Sequence, residues 1–330
     1  IFFRLFCHMK PRTSNVARFM SGVLSNFNRK PTTVNVVDCS RRPLTQEEMA
    51  EYVYGETPTV LKGLVNHFPM NRWSIDYFGH LDNGETSPIV SIARNTVEQS
   101  ASVMEDMPLR DFFAYLESMN TDEGEDIPTC SSSEVPPLID PKKYMYCNEE
   151  QALITTHFPV LWEELQHIRQ IYPKRLIQEY SLWIGPKGSV TGLHADHDYN
   201  SLVQCQGRKT MIFIPRDEED LVYPSKKFDP GASLSYVDLR CPKHNQIHYP
   251  NLQHATPSLA YLEPGDVICI PRKWYHFVVC TEGPSLSVTL HCNSVGMKAR
   301  EVLQKVGHYF GIHGWTEDGC TCHNADGGRR

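Results

Sequence analysis

From Tyr180 onward the sequence runs as short apolar segments with no helical period between them: 180–184 (YSLWI), 201–205 (SLVQC), 209–214 (KTMIFI), 258–262 (SLAYL), 266–270 (DVICI) and 285–290 (SLSVTL). Turn signals separate most of them, at Gly185-Pro186-Lys187-Gly188, at Gly207 and at Glu263-Pro264-Gly265. Many short strands without intervening helices leave a sandwich or a barrel as the way to bury their faces. The exception is 216–257, a long polar stretch between strands; a loop of that length is usually a lid or rim.

Ahead of this region the pattern is mixed. Residues 34–40 (VNVVDCS) alternate like a strand, and Thr45-Gln46-Glu47-Glu48 fits a helix start with a capping box. Residues 59–65 (TVLKGLV) read as another strand. Leu109, Phe112, Phe113 and Leu116 recur at helical spacing, which predicts an amphipathic helix over 108–118, and Leu161, Leu165 and Ile168 mark another. Between these helices, 119–143 is rich in Asp, Glu, Ser and Pro and has almost nothing to bury, so it reads as a long surface loop. Val302, Val306 and Phe310 space a C-terminal helix suited to a subunit contact, and hence to a homodimer. The expected organisation is a basic, poorly ordered leader (1–33), an α/β part (34–142), a catalytic core (143–296), and a helix and tail (297–330).

Apolar residues make up 40% of the 330 and charged residues 22%, ordinary for a chain with a packed core. No apolar run is long enough to cross a bilayer. The formal charge of −7 speaks against a nucleic-acid-binding surface spread over the molecule. Residues 1–30 carry six bases (Arg4, Lys10, Arg12, Arg18, Arg29, Lys30) and no acid, leaving 26 bases against 39 acids in the rest. An acid-free basic leader has the composition of a transit peptide, so a mitochondrial location stands beside the cytoplasmic or nuclear one. Eleven cysteines without scaffold spacing predict buried thiols in a reducing compartment and no disulfide framework. Cys320, Cys322 and His323 are the one cluster; a second metal site there competes with a frayed Gly-rich tail.

The chemistry-bearing residues begin in 189–200 (SVTGLHADHDYN). On a strand, His194 and Asp196 are i and i+2 and leave on the same face. An imidazole beside a carboxylate is a two-toothed ligand set for a divalent first-row metal, and a facial set needs its third tooth from another strand. His276, just after the run DVICIPRKWY, offers itself; His197, His244, His248, His254 and His291 are its competitors. Two histidines and one carboxylate on one side of an octahedral iron leave the other side open to substrate and dioxygen. Lys209 precedes the run Met-Ile-Phe-Ile and points either to solvent from an edge or into the interior. Inside, its ammonium requires an anionic partner.

Thr191-x-x-His194-x-Asp196-x-x-x-Asn200, Gln204, Gly207-x-Lys209, Pro264-Gly265-Asp266 and Ile270-Pro271-x-x-Trp274-x-His276 together resemble the jumonji-C hydroxylases. More narrowly they are similar to the small cupin-type group that includes the asparaginyl hydroxylase acting on hypoxia factor and the arginyl hydroxylases. The resemblance covers roughly residues 34–295 and is densest over 180–290. It implies an α+β, mainly β fold: a double-stranded β-helix (jelly-roll, cupin) core flanked by N-terminal α/β elements and a C-terminal helix. It also implies Fe(II) on His194, Asp196 and His276, with 2-oxoglutarate and O2 as cosubstrates. Lys209 would pair with the distal carboxylate of 2-oxoglutarate, with Thr191 and Asn200 bonding the cosubstrate or lining its pocket. Tyr144 matches the family's further tyrosine contact best, with Tyr146 as the alternative. Leu290-His291-Cys292 departs from the pattern, standing where bulky aromatics are usual. The implied activity is hydroxylation of a protein or peptide side chain, with succinate and CO2 as coproducts. N-methyl-lysine demethylation, a nucleoside or small-molecule substrate, and an inactive binding scaffold are the competing readings.

Overall fold

The computed structural model describes residues 14–94, 104–120, 145–227, 229 and 231–310. Helix α1 (Ser14–Leu24) comes first. Its Val16, Phe19, Met20 and Val23 recur at helical spacing and are buried beside Ile212, Ile214, Phe277 and Val279. From residue 14 on, therefore, the basic leader packs on the sheet, unlike the loose segment its composition predicts; residues 1–13 lie outside the described residues. Strands β1 (Thr32–Thr33) and β2 (Asn35–Asp38) lead to helix α2 (Gln46–Val53). That helix opens on the expected capping box: the Glu48 amide donates to Thr45 Oγ1 at 3.2 Å and the Thr45 amide donates to Glu48 Oε2 at 2.8 Å. Strand β3 (Thr59–Lys62), helix α3 (Ile75–Leu81), strands β4 (Ile89–Arg94) and β5 (Met104–Pro108), helix α4 (Leu109–Asn120), strand β6 (Met145–Glu150) and helix α5 (Pro159–Arg169) complete the N-terminal part. The acidic segment lies, from residue 121 to its end at 143, outside the described residues.

The second part is strand-rich: β7 (Ile177–Gly185), β8 (Val190–Asp196), β9 (Tyr199–Ile214), β10 (Ala232–Leu234), β11 (Ser258–Leu262), β12 (Val267–Ile270) and β13 (Tyr275–Asn293). Helix α6 (Pro242–His248) interrupts it and helix α7 (Val295–Tyr309) closes the described chain. All strands belong to one mixed sheet, ordered β2-β3-β12-β9-β13-β7-β6-β4-β5, with β1, β8, β10 and β11 joined alongside. The architecture is a mixed β-sheet core with flanking helices and a C-terminal helix, consistent with a cupin-like fold. Strands β9 and β13 are its spine. They pair antiparallel along most of their length, and each serves two sets of neighbours. The first half of β13 takes β8 and its second half takes β7, while β9 takes β12 early and β11 late.

Gly207 was expected to end one strand and start another. Instead β9 runs straight through it, as an irregularity in its ladder with β13. The backbone there has φ +70, and a Cβ would sit 2.5 Å from the Glu282 carbonyl, so only glycine lets β9 approach β13 at this point. The 216–257 stretch is also more ordered than a loop. It holds a 3-10 turn (Arg216–Val222), β10, α6 and a second 3-10 turn (Pro250–His254), with Val222, Val237, Leu239 and Leu252 buried.

The largest core cluster joins the N-terminal helices to the far half of the spine. Leu109, Phe112 and Leu116 of α4 and Leu161, Leu165 and Ile168 of α5 pack with Leu182, Ile184, Leu286, Val288 and Leu290. Each such side chain contributes about 1.5–3 kcal/mol on burial, and together they fix the strand ends that carry the site. Cys39, Cys147, Cys205, Cys269, Cys280 and Cys292 are free and buried, as expected; Cys241 is disulfide-bonded, which the composition did not suggest.

Candidate metal centre

Strand β8 holds His194 and Asp196 two residues apart, and β13 lays His276 directly across from His194 in antiparallel register. The two imidazole centroids are 4.1 Å apart. Asp196 lies between the rings: Oδ1 is 3.6 Å from His194 Nε2 and Oδ2 is 3.7 Å from His276 Nε2. One ligand atom from each residue falls within 4.8 Å of the others, and all three residues are buried. Of the six histidines considered for the third position, His276 is the one the fold brings to this pair.

Backbone carbonyls set the orientation of both rings. His194 Nδ1 lies 2.8 Å from the Gly192 carbonyl and His276 Nδ1 lies 3.0 Å from the Trp274 carbonyl. A carbonyl can only accept, so each Nδ1 carries a proton and each Nε2 faces Asp196. Burial, aided by His194, pushes the His276 imidazolium down to about 4, so the ring is neutral and able to ligate at physiological pH. Burial acts to raise the Asp196 carboxyl, but the neighbouring imidazoles and the Asn200 amide outweigh it and hold the carboxyl at about 2. Asn200 Nδ2 donates to Asp196 Oδ2 at 2.6 Å. Two imidazoles and one carboxylate on one side are the donor set of a non-haem iron(II) site with open positions.

The triad faces a cavity lined by residues of β6, β7, β8, β9, β12 and β13, among them Thr191, Asn200 and Lys209. Lys209 is 1% exposed, which settles the alternatives left by the sequence: it points inward. Its Nζ donates to Ser287 Oγ at 2.6 Å and to Tyr146 Oη at 3.3 Å, and among the described residues no carboxylate is ion-paired with it. Burial lowers its pKa from the ordinary lysine value. Burial likewise raises the Tyr146 phenol well above its ordinary value, with the Thr191 hydroxyl opposing. Tyr146 thus stands at the lysine, whereas Tyr144 lies outside the described residues. Asn200 Oδ1 is buried without a hydrogen-bond partner. A buried ammonium that only hydroxyls solvate fits a small acidic ligand reaching from the triad to the lysine. The residues present therefore fit both the metal and the dicarboxylate.

Other walls of the cavity escaped sequence reasoning. Trp183 Nε1 donates to Thr289 Oγ1 at 2.8 Å, and Ser287, opposite Gln204 on β9, supplies the shorter lysine contact. His291, where the aromatic pattern fails, lines the cavity and lies 3.5 Å from Asp198 Oδ2. The 216–257 stretch borders the site through β10, whose Ala232, Ser233 and Leu234 pair with Asp196, Ala195 and His194. Cys320, Cys322 and His323 lie outside the described residues.

The family profile of the cupin-like domain matches residues 45–293. Lysine-specific demethylase 8 of Xenopus tropicalis is 25% identical over 280 residues, covering 79% of this chain and 57% of that protein. HSPB1-associated protein 1 of Rattus norvegicus is 24% identical over 262 residues, covering 75% of this chain and 51% of its own. JmjC domain-containing protein D of Dictyostelium discoideum is 35% identical over 101 residues, covering 30% of this chain and 22% of its own. The chain spans little more than half the length of the first two relatives.

Proposed function

The chain belongs to the cupin-like domain family, and on that premise we propose that it is an iron(II)- and 2-oxoglutarate-dependent dioxygenase that hydroxylates a protein side chain. The observation that carries the reading is the pairing, in one cavity, of the His194-Asp196-His276 triad with the buried Lys209. When bound, iron(II) and 2-oxoglutarate supply the dioxygen activation that ends in succinate, CO2 and an oxidised substrate. The protein's share is positional. His194, Asp196 and His276 hold the metal from one side, with the Gly192 and Trp274 carbonyls keeping the rings turned. Lys209, Ser287, Tyr146 and Thr191 would receive the distal carboxylate, and the Asn200 amide holds Asp196 in place. Leu202, Met211, Ile270 and Val278 keep the space between them apolar and exclude water.

The same oxidant serves N-methyl-lysine demethylation, and the name of the Xenopus relative supports that second reading. The test is anaerobic: the full chain with Fe(II) and 2-oxoglutarate develops a metal-to-ligand charge-transfer band, which His194→Ala abolishes. No band, or an unchanged one in the variant, defeats the metal reading. Substrate-dependent succinate release separates an enzyme from a scaffold, and mass spectrometry then distinguishes a gained oxygen from a lost methyl.

Two finer proposals accompany this one. The sheet halves on either side of Gly207 close into a double-stranded β-helix around the cavity, supported by its lining from six strands. Helix α7 pairs with its copy in a homodimer, supported by Val302, Leu303, Val306 and Phe310, all exposed along its length. Among the described residues no helix is long and apolar enough to cross a membrane.

A further inference from the structure

Between Ile270 and His276, both lining the cavity, the turn Pro271-Arg272-Lys273-Trp274 carries an anomaly. Lys273 has φ +63, a conformation that glycine adopts freely and lysine at a cost. Its backbone is pinned there, because its amide donates to the carbonyl of the metal-triad residue Asp196 at 2.8 Å. Its side chain is exposed. Glycine would serve the turn better, so what lysine adds is the side chain: an ammonium mounted on backbone that touches the triad. Strain of this kind, retained at a site, points to a role for the strained residue.

Its neighbours are equally fixed. Arg272 Nε donates to the His197 carbonyl at 2.6 Å, and its guanidinium lies 5.8 Å from the Tyr199 ring. Tyr199 packs edge-on to Tyr54 with centroids 5.3 Å apart, and Tyr54 is exposed. Among the described residues neither Arg272 nor Lys273 is ion-paired, on a chain that carries 39 acids against 32 bases. Glu56, whose carbonyl accepts from Trp274 Nε1 at 3.0 Å, is ion-paired with Arg216.

We propose that Lys273 and Arg272, with Tyr199 and Tyr54 beside them, form a reading edge next to the metal triad for an acidic peptide, one with Asp or Glu within a few residues of the side chain that is modified. The proposal rests on the reading of the cavity as an oxygenase site for a protein substrate. A nucleic acid is the weaker occupant: binding a polyanion draws on many phosphate contacts, and this edge supplies two cations on a chain of net charge −7.

The test uses the full chain and two labelled peptide pools with the same randomised centre, one flanked by Asp and Glu and the other by Lys and Arg, followed by fluorescence anisotropy. The acidic pool is expected to bind about three- to fivefold more tightly, a preference that shrinks with added salt. Lys273→Gln removes the charge and keeps the strained turn; Lys273→Gly removes both. Each is expected to abolish most of the preference, whereas Lys273→Arg retains it. Lys273→Gly is also expected to melt about 1–3 °C higher, since the strain goes with the side chain. Equal affinity for the pools, no binding of the acidic pool up to roughly 1 mM, a preference unchanged in Lys273→Gln, or tighter binding of a single-stranded oligonucleotide overturns the proposal. The anaerobic charge-transfer band reports the oxygenase reading separately. A band without peptide preference sinks the reading edge alone, and a preference without a band sinks the oxygenase reading alone.

Discussion

At the residue scale the molecule holds two kinds of unfavourable burial, and both are directed at ligands. Lys209 has hydroxyls around its ammonium and, among the described residues, no ion-paired carboxylate, so burying its charge costs stability. Lys209→Met is expected to raise the melting temperature of the ligand-free protein while weakening 2-oxoglutarate binding by about 100-fold or more, as calorimetry would read. His276 provides a pH signature. Its folded pKa of about 4 lies below its ordinary 6.5, so between those values the unfolded chain binds the extra proton. Stability of the metal-free protein should therefore fall as pH drops from 6.5 toward 4, by about 3 kcal/mol, and His276→Gln should flatten that fall in denaturant titrations. The triad itself was legible, because H-x-D on a strand and the P-x-x-W-x-H turn fix side-chain chemistry by spacing. The Gly192 and Trp274 carbonyls that orient the rings were not, since every residue owns a carbonyl and only the folded register aims it.

At the element scale, β7, β9, β11, β12 and the second half of β13 were readable as short apolar runs, whereas β10 lay inside the stretch read as a loop and the connectivity was misread at Gly207. A glycine with positive φ signals a turn in sequence, but here it admits the Glu282 carbonyl and lets one strand continue. Gly207→Ala is expected to destabilise by about 2–4 kcal/mol in urea unfolding and to loosen 2-oxoglutarate, because Lys209 lies two residues on. Strands β4, β5 and β6 were not foreseen; MEDMP and MYCNEE carry too few apolar residues to stand out from a loop, and pairing alone defines them. Helix α1 was hidden differently. Its Val16, Phe19, Met20 and Val23 had the right period, but the surrounding bases made the segment read as a leader. Phe19→Ala should cost about 3–5 kcal/mol if α1 belongs to the folded unit, and a melt unchanged from wild type would show that it does not.

At the scale of the whole molecule, one sheet carries everything: α4 and α5 cover its far half, and α1 with the 216–257 stretch covers its near half. A strand-rich core with flanking helices was legible because strand periodicity is local, whereas the homodimer proposal depends on a surface the chain leaves uncovered. Leu303→Glu with Val306→Glu should turn a dimer into a monomer in analytical ultracentrifugation without loss of the charge-transfer band; a monomeric wild type would remove that proposal. The placement of His276 across from His194 has a wider consequence. A strand that slips by one residue presents its side chains to the opposite face, so β13 in the wrong register would carry His276 away from His194 and Asp196. On the proposed reading, metal capture selects molecules with β8 and β13 correctly aligned. Iron(II) added during refolding is then expected to raise the yield of native protein, and an unchanged yield would count against that selection.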